Sequence, residues 1–419
     1  MISAKINCFF QIIGFLPYLC TKMKNGETIR FVREHREEDV RALALRGCRD
    51  QGVDLPWALD QIQGWQTARS KLPSWAAIDG IVYPPHLSME QCSSEATAIY
   101  KKGIVDSLPE ECRETLIDLT GGFGVDFTFM AKCCGRAIYV ERQEHLCEIA
   151  KNNFELLGLR NATVINRNAE SELDELTADP ASTLLYLDPA RRDSNSARTY
   201  AIEDCTPNVL ALMPRLFGVA RHIIIKLSPM LDWHKAVSDL GERVAEVHIV
   251  SINNECKELL ILMSSSHQGE PVIHCVNDDK SLIYTASDDN GIPTIAGNND
   301  AKYLYEPNAS IMKTGCFSVL TQRYPVAALA TASHLFVSNN EIKDFPGRSF
   351  IIDAVTTTNK KEQTQVLAGI TCANVATRNF PLTAQQLRQR LRLKDGGDIY
   401  VFGTTNAMGQ HQLYICHKI

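Results

Sequence analysis

Apolar and polar positions change rhythm along the chain. From Glu34 the period is helical: Val40, Leu43 and Leu45 sit among charges, and Trp57, Leu59, Ile62, Trp65 and Ala68 continue the stripe. Pro73, Pro84 and Pro85 punctuate it, so residues 23–88 read as a small helical domain. Ser93 and Ser94 precede another helical stretch through Lys102. From Thr115 short apolar runs alternate with helical segments. The candidate strands are Leu116–Leu119, Ala137–Val140, Ala162–Asn166, Leu184–Leu187, His222–Lys226, Ala245–Ile252 and Leu259–Met263. Helical segments separate the first five, which predicts a largely parallel sheet with helices on both faces. Only Asn253–Glu258 joins the last two; a parallel crossover needs more, so that pair is predicted antiparallel.

Residues 265–302 are rich in Asp, Asn and Gly and read as loops with short strands. A further unit mixes strands (Ser349–Ala354, Ile399–Gly403, Gln412–His417) with a helix near Thr383–Leu393. Thr383-Ala-Gln-Gln386 is a capping box opening that helix, Leu387 and Leu391 share a face, and Asp395-Gly396-Gly397 is the predicted stop. No internal repeat or low-complexity tract interrupts the pattern. At 419 residues, two to four units are expected. The apolar run Cys8–Leu19 is shorter than a bilayer span, and Pro17-Tyr18-Leu19-Cys20 lacks the small residues of a signal-peptidase site. Residues 1–22 therefore read as a mis-assigned start, or a disordered or loosely packed leader, in preference to an export signal.

Composition narrows the function classes. Apolar residues are 45% and charged residues 22%, which excludes a disordered tail protein or a fibre. The net charge of −6 excludes a basic nucleic-acid coat, so any nucleic-acid contact must come from a local patch. Residues 331–419 hold five Lys and five Arg against six acids, net +4, leaving −10 for the remainder. Arg388, Arg390, Arg392 and Lys394 crowd the end of the predicted C-terminal helix. They read either as cations favoured by the helix dipole or as a phosphate-binding surface. The 14 Cys include no C-x-x-C pair and show no zinc-ligand spacing, so no metal is expected. They read as reduced, mostly buried thiols of a cytosolic protein.

The chemistry-bearing signal is Leu116-Ile-Asp-Leu-Thr-Gly-Gly-Phe-Gly-Val-Asp126. A strand ends in Asp118, and Gly121, Gly122 and Gly124 open a helix. Glycine lets the backbone turn sharply and lets a ligand approach without interference from Cβ. The spacing is not the pyrophosphate fingerprint G-x-G-x-x-G, which disfavours a nicotinamide dehydrogenase. Glu141 ends the next strand, 23 residues after Asp118, where a carboxylate can accept both hydroxyls of a ribose. Asn168-Ala169-Glu170 follows the third strand, where a base would be held. The fourth strand ends in Asp188-Pro189-Ala190-Arg191-Arg192-Asp193 and the fifth in Lys226-Leu-Ser228-Pro229-Met230. Lys226 reads equally as a phosphate neutraliser or a snorkelling side chain. Gln91-Cys92-Ser93-Ser94-Glu95 reads as a helix cap or as a segment covering the pocket.

These residues resemble the S-adenosylmethionine-binding motifs of class I methyltransferases, whose doubly wound sheet ends in an antiparallel hairpin. The resemblance implies an α/β fold: a Rossmann-like class I methyltransferase sheet with a final antiparallel strand pair, preceded by a helical domain and followed by an α+β THUMP-like region. The string Arg378-Asn379-Phe380-Pro381-Leu382, with Leu391–Tyr400 and Phe402–Thr405, resembles a THUMP-like domain. Together with the sheet motifs it is similar to one bacterial family that also carries a ferredoxin-like insert, here Asn277–Tyr324 with Tyr305-Glu-Pro-Asn308. The implied domains are 23–88 helical, 89–265 methyltransferase, 266–330 ferredoxin-like and 331–419 THUMP-like.

By that resemblance Asp118, Thr120, Gly121, Gly122, Phe123, Gly124, Asp126, Glu141, Asn168 and Ala169 hold S-adenosyl-L-methionine, and Asp188, Pro189 and Arg191 line the reaction face. Arg192, Lys226, Ser228, Arg388, Arg390 and Arg392 then bind substrate. Amine-methylating relatives carry Asp/Asn-Pro-Pro-aromatic where this chain has Asp188-Pro189-Ala190-Arg191; an Arg plane can stack on a base or fork onto a phosphate. The implied activity is methylation of tRNA or rRNA in the cytoplasm, without membrane or metal. The alternatives are a methyltransferase acting on a small molecule or protein, and a non-catalytic nucleotide- or RNA-binding module.

Overall fold

A computed structural model describes residues 25–48, 50, 52–191, 202–297 and 301–419. Residues 1–22, Arg192 and Asp193 lie outside them. The chain forms two compact units, one of residues up to Lys226 with 263–266, the other of 227–262 and 267–419.

The first unit opens with helices Gly26–His35, Val40–Arg46 and Leu55–Lys71, capped by the side chains of Asn25, Asp39 and Asp54. Their apolar stripes supply Leu43, Ala58, Ile62 and Ala68 to the core. Buried Gln61 donates to the Tyr83 carbonyl and accepts from its N–H, both at 2.8 Å, fixing the extended segment that follows. Ser94 caps the helix Glu95–Ser107 through Thr97 N. The strands come next: β1 (Thr115–Asp118), β2 (Arg136–Glu141), β3 (Ala162–Asn166), β4 (Thr183–Leu187), then β5 (Ala190–Arg191) paired with β6 (Cys205–Thr206), and β7 (His222–Leu227). The order β7-β4-β1-β2-β3, parallel throughout, is that of a doubly wound sheet.

The second unit carries the expected antiparallel pair, β8 (Val244–Ile252) and β9 (Glu255–Ser264). The link is only Asn253-Asn254, both left-handed with φ 51° and 60°, a two-residue hairpin turn. Strand β9 therefore begins four residues before the apolar run that announced it, because Glu255–Glu258 pair through their backbones whatever their side chains. Strand β10 (Val272–Asn277) lies parallel to β8, and β11 (Lys280–Thr285) pairs antiparallel with β10.

The remaining strands are β12 (Tyr303–Pro307), β13 (Ala327–Ala328), β14 (Phe336–Ser338), β15 (Gly347–Thr357), β16 (Asn374–Arg378), β17 (Ile399–Thr405) and β18 (His411–Lys418). They form a second sheet ordered β13-β14-β12-β15-β18-β17-β16. Strand alternation divides its core: Phe402, Tyr414 and Cys416 join Leu304 and Phe350, while Val401, Leu413 and Ile415 join Leu387 and Leu393. Buried Glu306 on β12 is gripped by Arg348 of β15 and by Arg378 of β16 at 2.8 Å. Both halves of the Thr383–Gln386 capping box form. The helix, Ala384–Leu391, ends before the predicted glycine stop because Arg392 adopts a left-handed φ of 58°.

Among the described residues no helix is long and apolar enough to cross a membrane.

Candidate active site

The site is assembled in the first unit at the carboxyl ends of β1, β2, β4 and β7. Strand β1 delivers Asp118, 1% exposed, whose Oδ1 accepts from Thr120 N at 2.9 Å. Thr120 Oγ1 accepts from Asp188 N at 2.6 Å, tying the loop after β1 to the end of β4. Gly122 N donates to Glu141 Oε2 at 2.9 Å, and Gln143 N donates to Oε1 at 2.8 Å. The Tyr139 hydroxyl donates to the Gly122 carbonyl.

The glycines divide their work differently from the sequence expectation. A Cβ on Gly121 would stand 2.2 Å from the Tyr139 ring, and one on Gly124, at φ 82°, 2.9 Å from the Phe154 ring. Close packing against two aromatic rings requires glycine at both. At Gly122, with φ 55°, the Cβ direction meets nothing nearer than a carbonyl at 3.8 Å. Phe123 turns away from the turn and packs edge-on against Trp75 at 5.0 Å, inside the core shared with the helical segment.

Behind the turn lies a buried charged cluster. Asp126 accepts from Ser93 Oγ at 2.8 Å and from the Tyr186 hydroxyl at 2.7 Å, and pairs with Lys101 at 3.1 Å. Lys226 lies 3.7 Å from Asp126, donates to Ser93 Oγ at 3.1 Å, and reaches Asp188 Oδ2 at 2.6 Å. Pro189 is buried behind Asp188, and the backbone of Arg191 continues into β5. Four carboxylates (Asp118, Asp126, Glu141, Asp188) thus face two ammonium groups. Burial, reinforced by the other three acids, pushes the Asp118 carboxyl well above the usual range against the pull of the Thr120 N–H. For Asp126 burial acts in the same sense, yet Lys101 and Lys226 outweigh it and leave that carboxyl lowered. Among the four acids Asp188 alone opens to solvent, its side chain 38% exposed.

Asn168 and Ala169 follow β3, the strand paired with β2, and the remaining expected residues among those described lie in the second unit. The Asn168 side chain caps the helix Ala169–Glu175 through Ser171 N, and Ala169 is buried. Ser228 belongs to the second unit, where its Oγ accepts from Met230 N at 3.3 Å. In that unit Arg388 pairs with Asp395, while Arg390 and Arg392 are exposed. Sequence reasoning missed Lys101, Ser93 and Tyr186 as a group. The available signal was a lysine within the buried stripe Thr97, Ala98, Lys101, Ile104, Val105, where an unpaired charge could not stay.

The acids that would hold the cofactor fit it. Each Glu141 oxygen accepts one backbone N–H and keeps a lone pair for a ribose hydroxyl. The surplus of carboxylates over ammonium groups favours a cationic molecule. A parallel sheet with this glycine turn, a ribose-competent acid on the adjacent strand and an exposed acid after β4 defines the Rossmann-like class I methyltransferase fold.

Comparison with solved structures gives a candidate methyltransferase from Porphyromonas gingivalis W83, 30% identical with a TM-score of 0.82, matching 94% of this chain and 97% of that one. Two much weaker likenesses are an rRNA methylase from Streptococcus thermophilus (15% identity, TM-score 0.29, 39% of this chain and 94% of that one) and an O-methyltransferase from Bacillus cereus (14%, 0.34, 48% and 91%). A family model of a ferredoxin-like domain matches residues 303–346, and a THUMP domain-like model matches 347–418. No curated protein matches the sequence. The chain belongs to the bacterial class I methyltransferase family that carries a ferredoxin-like domain and a C-terminal THUMP-like domain.

Proposed function

We propose that this protein transfers a methyl group from S-adenosyl-L-methionine to RNA, a tRNA or rRNA. The observation that carries the reading is Asp188, open to solvent at the end of β4 and paired at 2.6 Å with Lys226. When bound, the cofactor supplies an electrophilic methyl group on a sulfonium. Glu141 and Gly122 would hold its ribose side, and Asp118 its amino group. Asp188 orients the acceptor and takes its proton, while Thr120 fixes the Asp188 backbone.

The Lys226 pairing favours an oxygen acceptor. A hydroxyl gains negative charge as its proton leaves, which an adjacent ammonium stabilises. An exocyclic amine gains positive charge as it attacks, which the same ammonium opposes. The nature of the polymer rests on the THUMP-like match and on the cationic C-terminal region. The P. gingivalis relative, a candidate methyltransferase, supports the reaction class.

The test is incubation of the protein with labelled cofactor and RNA from a strain lacking it, followed by nucleoside mapping. Label on a ribose hydroxyl is the expected result. Label on a base amine overturns the acceptor assignment, and no label on any RNA while a protein or small molecule is labelled overturns the RNA assignment. Glu141→Gln should weaken cofactor binding by about tenfold or more, as loss of a charged hydrogen-bonding group does; unchanged affinity by calorimetry would remove Glu141 from the ribose site.

A further inference from the structure

The second unit holds a cluster that the methyl-transfer site does not use. Strands β8 and β10 run parallel and in register, His248 opposite His274 and Glu246 opposite Val272. Side chains alternate along each strand, so Glu246, His248 and His274 share one face. The other face is occupied: Cys275 Sγ lies 3.3 Å from Thr314 Oγ1 of the helix Ala309–Thr314. Glu246 Oε2 is 3.0 Å from His248 Nε2 and 3.5 Å from His274 Nε2. The two imidazoles stack with centroids 4.3 Å apart and planes 21° from parallel. Among the described residues this is the one group of three whose ligand atoms all lie within 4.8 Å of one another.

We infer that Glu246, His248 and His274 form a binding site for a divalent transition-metal ion of the zinc class. Zinc bonds of 2.0–2.2 Å to imidazole nitrogen and carboxylate oxygen place tetrahedral neighbours about 3.3 Å apart. The two distances from Glu246, 3.0 and 3.5 Å, straddle that value. Two imidazoles and one carboxylate select this class over magnesium and calcium, which take oxygen. His274 Nε2 is buried and makes no hydrogen bond among the described residues, and a metal would satisfy it. Exposure is graded across the cluster, 3% for His248, 20% for His274 and 32% for Glu246. The ion would enter from the Glu246 side and keep one position there for water. Bound, it would pin β8 to β10 and stabilise the second unit.

The experiment uses the full chain, stripped with a chelator and dialysed. Zinc chloride alone is titrated by calorimetry, thermal unfolding is followed with and without zinc, and cobalt(II) replaces zinc for its visible absorption. One ion per chain, a higher Tm with zinc and a four-coordinate cobalt spectrum are expected. His274→Ala and Glu246→Gln should each weaken binding by about tenfold or more, since even a supporting partner of a ligand is worth that much. Glu246→Gln keeps the shape of the site and decides the matter if His274→Ala alters the far-ultraviolet spectrum. No heat and no Tm change in wild-type protein overturns the site. Binding that survives both substitutions also overturns it, by assigning the metal to the cysteines.

Discussion

Lys226 Nζ lies 2.6 Å from Asp188 Oδ2, joining the end of β7 to the end of β4. The pair makes one carboxylate oxygen of Asp188 a fixed partner of a cation. Asp188→Asn keeps the shape and removes the charge. Its kcat should fall about 10²–10⁴-fold, the usual share of a positioned acid or base, with cofactor affinity unchanged. Single-turnover methyl transfer and calorimetry on the same variant check both halves.

Asp118→Asn should raise the Tm of the ligand-free protein at neutral pH while weakening cofactor binding. The folded state holds the Asp118 carboxyl well above its ordinary value, chiefly through burial, so the folded chain binds that proton more tightly than the unfolded chain. Its ionisation therefore disfavours folding at pH values above the unfolded value and ceases to do so as pH falls toward it. The Tm gap between variant and wild type should narrow on acidification toward the ordinary aspartate range. A gap that widens there would contradict the assignment.

Lys101→Met removes a fully buried ammonium and leaves Asp126 with Lys226 as its remaining cation. Loss of one partner from a buried pair costs about 3–5 kcal/mol. Converting both partners, Lys101→Met with Asp126→Leu, should cost less than the two single changes summed. Urea denaturation of the four proteins measures the coupling.

Gly121→Ala should destabilise by about 1–3 kcal/mol, because the added methyl meets a ring carbon of Tyr139 at 2.2 Å and the ring has to shift. Trimming the ring with Tyr139→Leu in the same chain should recover part of the loss. Recovery would separate steric from ligand-binding reasons for the glycine.

Much of this was legible in the residues, and unevenly so. The strands β1, β2, β4 and β7 announce themselves because buried strands are short apolar runs, and Ala162–Asn166, at the sheet edge with no buried residue, still matches end for end. Asp118, Glu141, Asp188 and Lys226 could be placed because they terminate such runs. The Lys101–Asp126–Ser93–Tyr186 cluster could not, since its members lie on two helices, a strand and the segment before the first of those helices, and meet only in the folded chain. The same holds for Glu246, His248 and His274: metal spacing was sought among cysteines, whereas the histidines become neighbours through the parallel pairing of β8 and β10. The packing of Gly121 against the Tyr139 ring was not legible, because sequence shows a missing side chain but not which neighbour occupies the space.

Phe123 sits in the middle of the glycine-rich bend yet is sunk among Trp75, Tyr83 and Met89. The bend is therefore anchored from outside its own sheet, like a hinge pin seated in the opposite leaf. A shortened protein beginning at the opening strand would bare Phe123, Val125 and Phe129 to water and let the bend wander. The amino-terminal segment is thus part of the same packed body as the bend, and the sheet cannot be cut from this chain without opening that core.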